Sequence, residues 1–376
     1  MPSRPGSYYP LALSIIILIG IMIKFGSQQR VGLDIGSHSI KIAVLDRAGA
    51  HPRLGSYTIV PLYTSGETYD PDGPKKSVIV PRLLNAFNQI NLRPRTVKHL
   101  ASSIGGLAVA AKEIKSIQMT DEEMDSSLRL EARKHLPLDG SETIVDYQIL
   151  GNDPQELDKI RVLLVAATRK YFQTHLESLR DIELKPGLVD IDQLAMINAY
   201  ITQNDLPDDG VVIFLNVGCR KTNLSVLGRK NLFFTRDMPV AGYTFTAELM
   251  KRYNLSYEEA ERVKVTDGLN PDLPRAGADG SPEEIKLAEK GSIDRLGDEI
   301  NRSLRYYVKE TGQSYFHSIL LTGGSAQLPG LDEFLQSKFN LPVSVYNSCA
   351  GLETGGKEIP EGAQLAVAVG LALRAE

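Results

Sequence analysis

Val31, Leu33 and Ile35 alternate with Gly32, Asp34 and Gly36, and beyond the turn Ser37-His38-Ser39 the residues Ile40, Ile42 and Val44 keep the same period of two around polar Lys41. Alternation of this kind predicts half-buried strands, so 31–36 and 40–46 read as strand, turn, strand. A Pro- and Gly-rich loop at 64–74 leads to a helix near 80–89, and the strand LASSIG follows at 100–105. Residues 106–181 read as a mixed unit. A helix over 120–135 opens on T-D-E-E, in which Thr120 and Glu123 form a capping box. Strands at 143–150 and 161–168 and a helix at 170–181 complete that unit.

The second half restarts the pattern. Residues 211–238 read as three short strands joined by tight turns, and helices at 242–253 and 256–265 follow. After a soft loop at 267–280 comes a long helix from Pro282, with Ser281 and Glu284 as a second capping box. A strand at 317–324, a helix at 331–338, a short strand at 342–346 and a buried helix at 361–374 finish the chain. Two strand-turn-strand openings about 180 residues apart predict two similar halves facing each other, a repeat of architecture rather than of residues.

Composition narrows the class. A chain of 376 residues suggests about two to three domains. At 42% hydrophobic and 23% charged it is not a disordered, collagen-like or many-pass membrane protein. A net charge of −4 with mixed signs argues against nucleic acid as the main partner, because neutralising phosphates needs a basic face. Cys219 and Cys349 have no spacing suited to a metal site or a disulfide framework, which points to a reducing compartment.

The first 29 residues depart from that average. Positions 11–23 read LALSIIILIGIMI, about 20 Å of helix against the roughly 30 Å of a bilayer core. Arg4 before the run and Lys24 and Arg30 after it place the bulk of the chain in the cytoplasm by the positive-inside bias. No A-x-A site marks a cleaved signal. Three readings stay open: a chain that begins at Met22, a marginal membrane anchor, or a segment removed by other processing.

Three turns carry candidate chemistry. In Asp34-Ile35-Gly36-Ser37-His38-Ser39-Ile40-Lys41 a freely turning Gly36 and small Ser37 and Ser39 let successive amides form a nest for phosphate, and Asp34 is placed to hold Mg²⁺ through water. Asn216-Val217-Gly218-Cys219-Arg220-Lys221-Thr222 has the same shape, and two such turns can cradle a triphosphate from both sides. After the apolar strand, Gly323-Gly324-Ser325 exposes backbone against which a purine and ribose can lie. An ordinary hairpin or strand-to-helix turn is the plain alternative for each alone. The stretch at 351–357 resembles a Walker A loop, but Glu358 replaces the Ser/Thr that would hold Mg²⁺, and it is set aside.

With these turns in this order, the chain resembles the actin-like ATPase superfamily, and within it the PilM group of type IV pilus assembly proteins, relatives of the cell-division protein FtsA. The stretches VGLDIGSHSIKIAVL, LEARKHLPLDGSETIVDYQIL, LVAATRKYF, GLVDIDQLAMINAY, RDMPVAGYTFTAEL and YEEAERVK carry the resemblance, which runs from about Lys24 to the end. It implies an α/β, actin-like (ribonuclease-H-like) fold of two lobes with a nucleotide cleft between them. Subdomain 1A would be 30–106 and 182–208, 1C would be 107–181, 2A would be 209–240 and 315–376, and 2B would be 241–314. ATP and Mg²⁺ would bind at Asp34, Gly36, Ser37, His38, Ser39, Lys41, Asn216, Gly218, Thr222, Gly323, Gly324 and Ser325. Glu261 and Lys264, on one helix face, would reach the ribose; a solvated charged face is the plain alternative. Asn216 stands where the family usually has Asp, which implies slow or absent hydrolysis, and no water-positioning residue is assigned.

The implied role is a cytoplasmic scaffold at the inner face of the membrane. It would bind the N-terminal peptide of a PilN-like membrane protein in a groove between 1A and 1C. Pilus motor ATPases and self-association are further implied contacts. A small-molecule kinase of the same superfamily is the alternative, and it lacks a visible catalytic base. A heat-shock chaperone and an FtsA-like filament anchor are not expected, because neither a substrate-binding domain nor an amphipathic tail follows the last helix.

Overall fold

The computed structural model describes residues 29–46, 51–64, 67, 69–70, 73–134, 142–153, 156–270 and 290–374. The apolar run at 11–23, the end of the 120–135 helix, most of the 267–280 loop and the Ser281–Glu284 capping box lie outside them. The first half runs β1 (Gln29–Ile35), β2 (Ser39–Asp46), β3 (Arg53–Pro61), α1 (Lys76–Gln89) and β4 (His99–Ile104). It continues with β5 (Val109–Ile117), α2 (Asp121–Ala132), β6 (Thr143–Asn152), β7 (Lys159–Thr168), α3 (Arg169–Arg180), β8 (Leu188–Ile191) and α4 (Asp192–Ile201). The second half runs β9 (Val211–Val217), β10 (Thr222–Leu227), β11 (Phe234–Met238), α5 (Gly242–Tyr253), α6 (Tyr257–Asp267) and α7 (Ser292–Thr311). It ends with β12 (Phe316–Thr322), α8 (Leu331–Phe339), β13 (Val343–Val345) and α9 (Ala366–Leu373).

Two five-stranded sheets have orders β3-β2-β1-β4-β8 and β11-β10-β9-β12-β13. In each, the first three strands of the half pair antiparallel and the last two join parallel to the first. The expected repeat is therefore present strand by strand, though the residues do not repeat. A third, antiparallel sheet, β5-β7-β6, forms the mixed unit, covered on one face by α2, where Met124 and Leu128 pack on Val162 and Leu164. The capping box is made as expected: Thr120 and Glu123 exchange side-chain and backbone hydrogen bonds at the start of α2.

α4 and α9 lie at the centre of the molecule. A Cβ on Gly32 would fall 1.9 Å from the Ala368 carbonyl oxygen, and one on Gly370 would fall 1.7 Å from that of Ala195. Only glycine allows β1, α9 and α4 to meet backbone to backbone, and Asn198 Nδ2 closes the contact by donating to the Gly370 carbonyl at 2.8 Å. This junction fixes the end of β1, with Asp34, relative to the start of α4, with Asp192.

Several elements differ from the sequence expectation. α1 begins at Lys76 and carries Pro81 inside it. β3, β5, β8 and α4 were not expected. In β3 the alternation breaks at Gly55, where the pairing with β2 shifts register. α4 is buried almost all round, from Gln193 to Ala199, so no apolar stripe marks it. The helix expected at 361–374 is a 3₁₀ turn, Pro360–Ala363, followed by α9.

Candidate functional site

The first turn joins β1 to β2. Asp34 and Lys41 face each other in register, and Gly36 N–H donates to the Ser39 carbonyl at 3.1 Å, which closes the turn. Lys41 Nζ lies 3.0 Å from Asp34 Oδ2. Burial pushes the Asp34 carboxyl above the usual carboxylate range, and Lys41 only partly offsets it. Burial likewise lowers the His38 imidazole, opposed by Glu261.

The second turn joins β9 to β10 and is built like the first. Gly218 N–H donates to the Lys221 carbonyl at 3.0 Å, while the Gly218 and Cys219 carbonyls accept from the first amides of α5, Gly242 at 3.0 Å and Tyr243 at 2.7 Å. The third turn leaves β12 with Gly323 at φ +90°, and a Cβ there would fall 2.4 Å from Asn216 Oδ1. The Ser325 amide donates to the Val217 carbonyl at 2.9 Å, which ties the second and third turns together.

Glu261 and Lys264 are not a solvated face. Lys264 is buried, and its Nζ donates to Glu261 Oε1 at 2.6 Å and Thr246 Oγ1 at 2.9 Å. Thr246 in turn donates to Glu261. The pair is thus locked between α5 and α6.

One cleft of about 260 Å³ between the lobes gathers these features. Asp34, Gly36, Ser37, His38, Ser39, Lys41, Asn216, Gly218, Glu261, Lys264, Gly323, Gly324 and Ser325 all line it. Thr222 does not. It is fully buried on β10, and its hydroxyl donates to the Val240 carbonyl at 2.7 Å, so its role is to hold the start of α5 in place. The near-Walker stretch at 351–357 lies outside the cleft, where the Glu353 backbone pairs with the start of β3.

Asp192 and Lys221 also line the cleft and were not singled out from sequence. Asp192 opens α4 and accepts from Ser103 Oγ at 2.7 Å and Lys221 Nζ at 3.1 Å. Burial opposes its charge, but Lys221 and Ser103 outweigh that and hold its carboxyl below the usual range. Burial also opposes the charge on Lys221, and Asp192 and Asp237 overcome it, so the ammonium is kept firmly protonated. The two residues meet across 29 positions and two lobes, which no local pattern reveals. The donor set fits a metal-bound triphosphate: two carboxylates (Asp34, Asp192), two ammonium groups (Lys41, Lys221) and two glycine turns that admit an anion closely. Among the described residues no group of three or more His, Cys, Asp or Glu forms a cage for a metal by itself.

Two further features surround the cleft. A groove of about 680 Å³ runs between β5 on one side and β11 and the end of α7 on the other, with Gln193 of α4 in its floor. On the α5–α6 side, Tyr69 of the first lobe packs against two rings of the second, Tyr243 (centroids 4.7 Å apart) and Tyr257 (5.0 Å), which are 6.4 Å from each other. The Tyr69 hydroxyl lies 3.0 Å from Cys219 Sγ in the second turn. No helix among the described residues is long and apolar enough to cross a membrane.

The family model for the type IV pilus assembly protein PilM matches residues 32–376. The cell-division protein FtsA of Enterococcus faecalis is 22% identical over 365 residues, covering 84% of this chain and 78% of its own length. FtsA of Neisseria meningitidis serogroup B is 22% identical over 296 residues, covering 70% and 71%. Among solved structures, the PilM-PilN type IV pilus biogenesis complex superposes with a TM-score of 0.74 at 23% identity, over 93% of this chain and 99% of that one. The ethanolamine utilization protein EutJ of Carboxydothermus hydrogenoformans gives 0.51 at 14% identity, over 96% and 97%. The fold is the actin-like, ribonuclease-H-like one with two lobes.

Proposed function

The chain belongs to the PilM family of type IV pilus assembly proteins, and on that premise we propose that it is an ATP-binding scaffold of the pilus machine at the cytoplasmic face of the inner membrane. The observation that carries this reading is the convergence of three turns from both lobes, with Lys41, Lys221 and the Glu261–Lys264 pair, on one cleft. The amides of Ser37–Ser39 and Cys219–Lys221 would receive the phosphates, Lys41 and Lys221 would supply charge, and Gly323 and Gly324 would face the adenosine. Asp34 and Asp192 would hold Mg²⁺ through water, and the ion would supply neutralisation of the phosphates. A ligand that touches both lobes favours the arrangement in which they are closest, so nucleotide acts as a conformational clamp.

Asn216 offers an amide where a carboxylate would organise metal-bound water, so turnover is slow or nil. The solved relative is a complex of PilM with PilN. By analogy, the N-terminal peptide of a PilN-like membrane protein lies in the groove between subdomains 1A and 1C. Motor ATPases and further copies of the chain are additional partners under this reading. Titration of a synthetic peptide from that partner's cytoplasmic N-terminus into the full chain tests it. Saturable binding, tighter with ATP–Mg²⁺, is expected, and no binding in either state would contradict it.

A further inference from the structure

Among the described residues, Tyr171 is the one member of the mixed unit that lines the cleft between the lobes, and none of the three turns accounts for it. It stands in the first turn of α3. Tyr171, His175 and Leu179 follow one another at spacings of four, so they share one face of that helix. His175 Nε2 lies 3.0 Å from Ser102 Oγ of β4, and Leu179 is fully buried in the core that β1, β2 and β4 share. The face is thus fixed to the first lobe at two points, and its remaining end carries a ring that is 40% exposed.

The neighbours of the ring place it at the phosphate end of the cleft. The Gly105 backbone amide hydrogen-bonds to the Tyr171 hydroxyl. Gly105 itself touches the ion pair that crosses the lobes, since a Cβ there would fall 2.1 Å from Asp192 Oδ2 and 2.4 Å from Lys221 Nζ. The strongest charges acting on the phenol are Asp192, Lys221 and Asp34, rather than Glu261 or Lys264 at the ribose end.

A phenol has one hydrogen to donate besides its lone pairs. The Gly105 amide takes a lone pair, and among the described residues no hydrogen bond uses the hydrogen. The carboxylate beside it is served from elsewhere, because Asp192 Oδ1 accepts from Ser103 Oγ at 2.7 Å and Oδ2 from Lys221 Nζ at 3.1 Å. Burial, reinforced by Asp192, raises the phenol above its ordinary range, so the hydrogen stays in place at neutral pH.

We propose that Tyr171 donates this hydrogen to the terminal phosphate of the nucleotide and so makes the cleft select ATP over ADP. The inference rests on the reading of the cleft as an ATP site. Lys41 and Lys221 attract phosphates by charge, whereas a single hydroxyl beyond the two glycine turns meets only the last phosphate of the row. Lys221 comes from the second lobe, Gly105 and Asp192 from the first and Tyr171 from the mixed unit, so the terminal phosphate is the point at which all three meet.

Calorimetric titration of the full chain with Mg²⁺ and either a non-hydrolysable ATP analogue or ADP tests this. The comparison is with Tyr171→Phe, which keeps the ring and removes only the hydroxyl. The variant is expected to bind the analogue about tenfold or more weakly than the unaltered chain does, and ADP within about twofold. A change in packing alone would move both nucleotides together. Equal affinity of the analogue for the two proteins, or an equal loss for the analogue and for ADP, overturns the proposal. A melting curve checks that the variant is folded; should it not be, Tyr171→Leu is read by the same comparison. Failure of both nucleotides to bind the unaltered chain overturns the ATP-site reading and this proposal with it, whereas binding there with no selective loss in the variant overturns this proposal alone.

Discussion

Asn216 lies near the end of β9 beside Gly323, which has no room for a side chain, and its amide stands at the cleft wall. An amide cannot polarise metal-bound water by charge, and restoring the carboxylate restores that capacity. Asn216→Asp is therefore expected to raise ADP release at least about tenfold above the unaltered chain, a change of roughly 1.4 kcal/mol in barrier. No rise in a coupled-enzyme assay would mean that the amide is not what limits turnover. At this scale the sequence was informative where a glycine and small polar residues follow a strand, because that pattern implies exposed amides wherever the chain later folds. It was silent on Asp192 and Lys221, whose partnership depends on two lobes meeting. It misplaced Thr222, because a hydroxyl at a turn reads the same whether it faces the ligand or, as here, the Val240 carbonyl.

Strands with clean alternation and the helix opened by the Thr120–Glu123 capping box were legible one element at a time. β3 was hidden by a bulge and α4 by its burial on every side. An element contact also sets a pH dependence. His175 of α3 packs on β4, with Nε2 3.0 Å from Ser102 Oγ, and burial pushes its imidazole down to about 4 from the ordinary 6.5. Between these values the unfolded chain takes up a proton that the folded chain refuses, so stability falls as pH drops from about 6.5 to about 4 and levels off below. The loss amounts to at most about 3 kcal/mol. Urea unfolding across this range should show the slope in the unaltered chain and a flatter profile in His175→Gln. Equal slopes would assign the effect to other groups.

The whole molecule joins two sheets of one topology through a central helix pair, an ion pair across the cleft (Lys221–Asp192) and an aromatic tie (Tyr69 against Tyr243 and Tyr257). Periodicity foretold the repeat, whereas the ties between the halves are long-range and left no trace in it. The aromatic tie meets the second turn through Cys219, so it links the first lobe directly to a wall of the cleft. Tyr69→Ala removes two stacked pairs, each contributing about 0.5–1.5 kcal/mol beyond area burial. Stopped-flow release of a fluorescent ATP analogue should accelerate at least about fivefold in this variant, as expected when about 1 kcal/mol of interlobe contact is lost. An unchanged release rate would place the tie outside the opening motion.

Everything proposed for the two lobes depends on ATP occupying the cleft between them. Calorimetric titration of the full chain with ATP–Mg²⁺ reads that occupancy, beside a Lys41→Gln variant shown to be folded by its melting curve. One site per chain is expected, weakened about tenfold or more in the variant by loss of a charged hydrogen bond to phosphate. No heat of binding to the unaltered chain, or equal affinity for both proteins, would contradict ATP binding in this cleft.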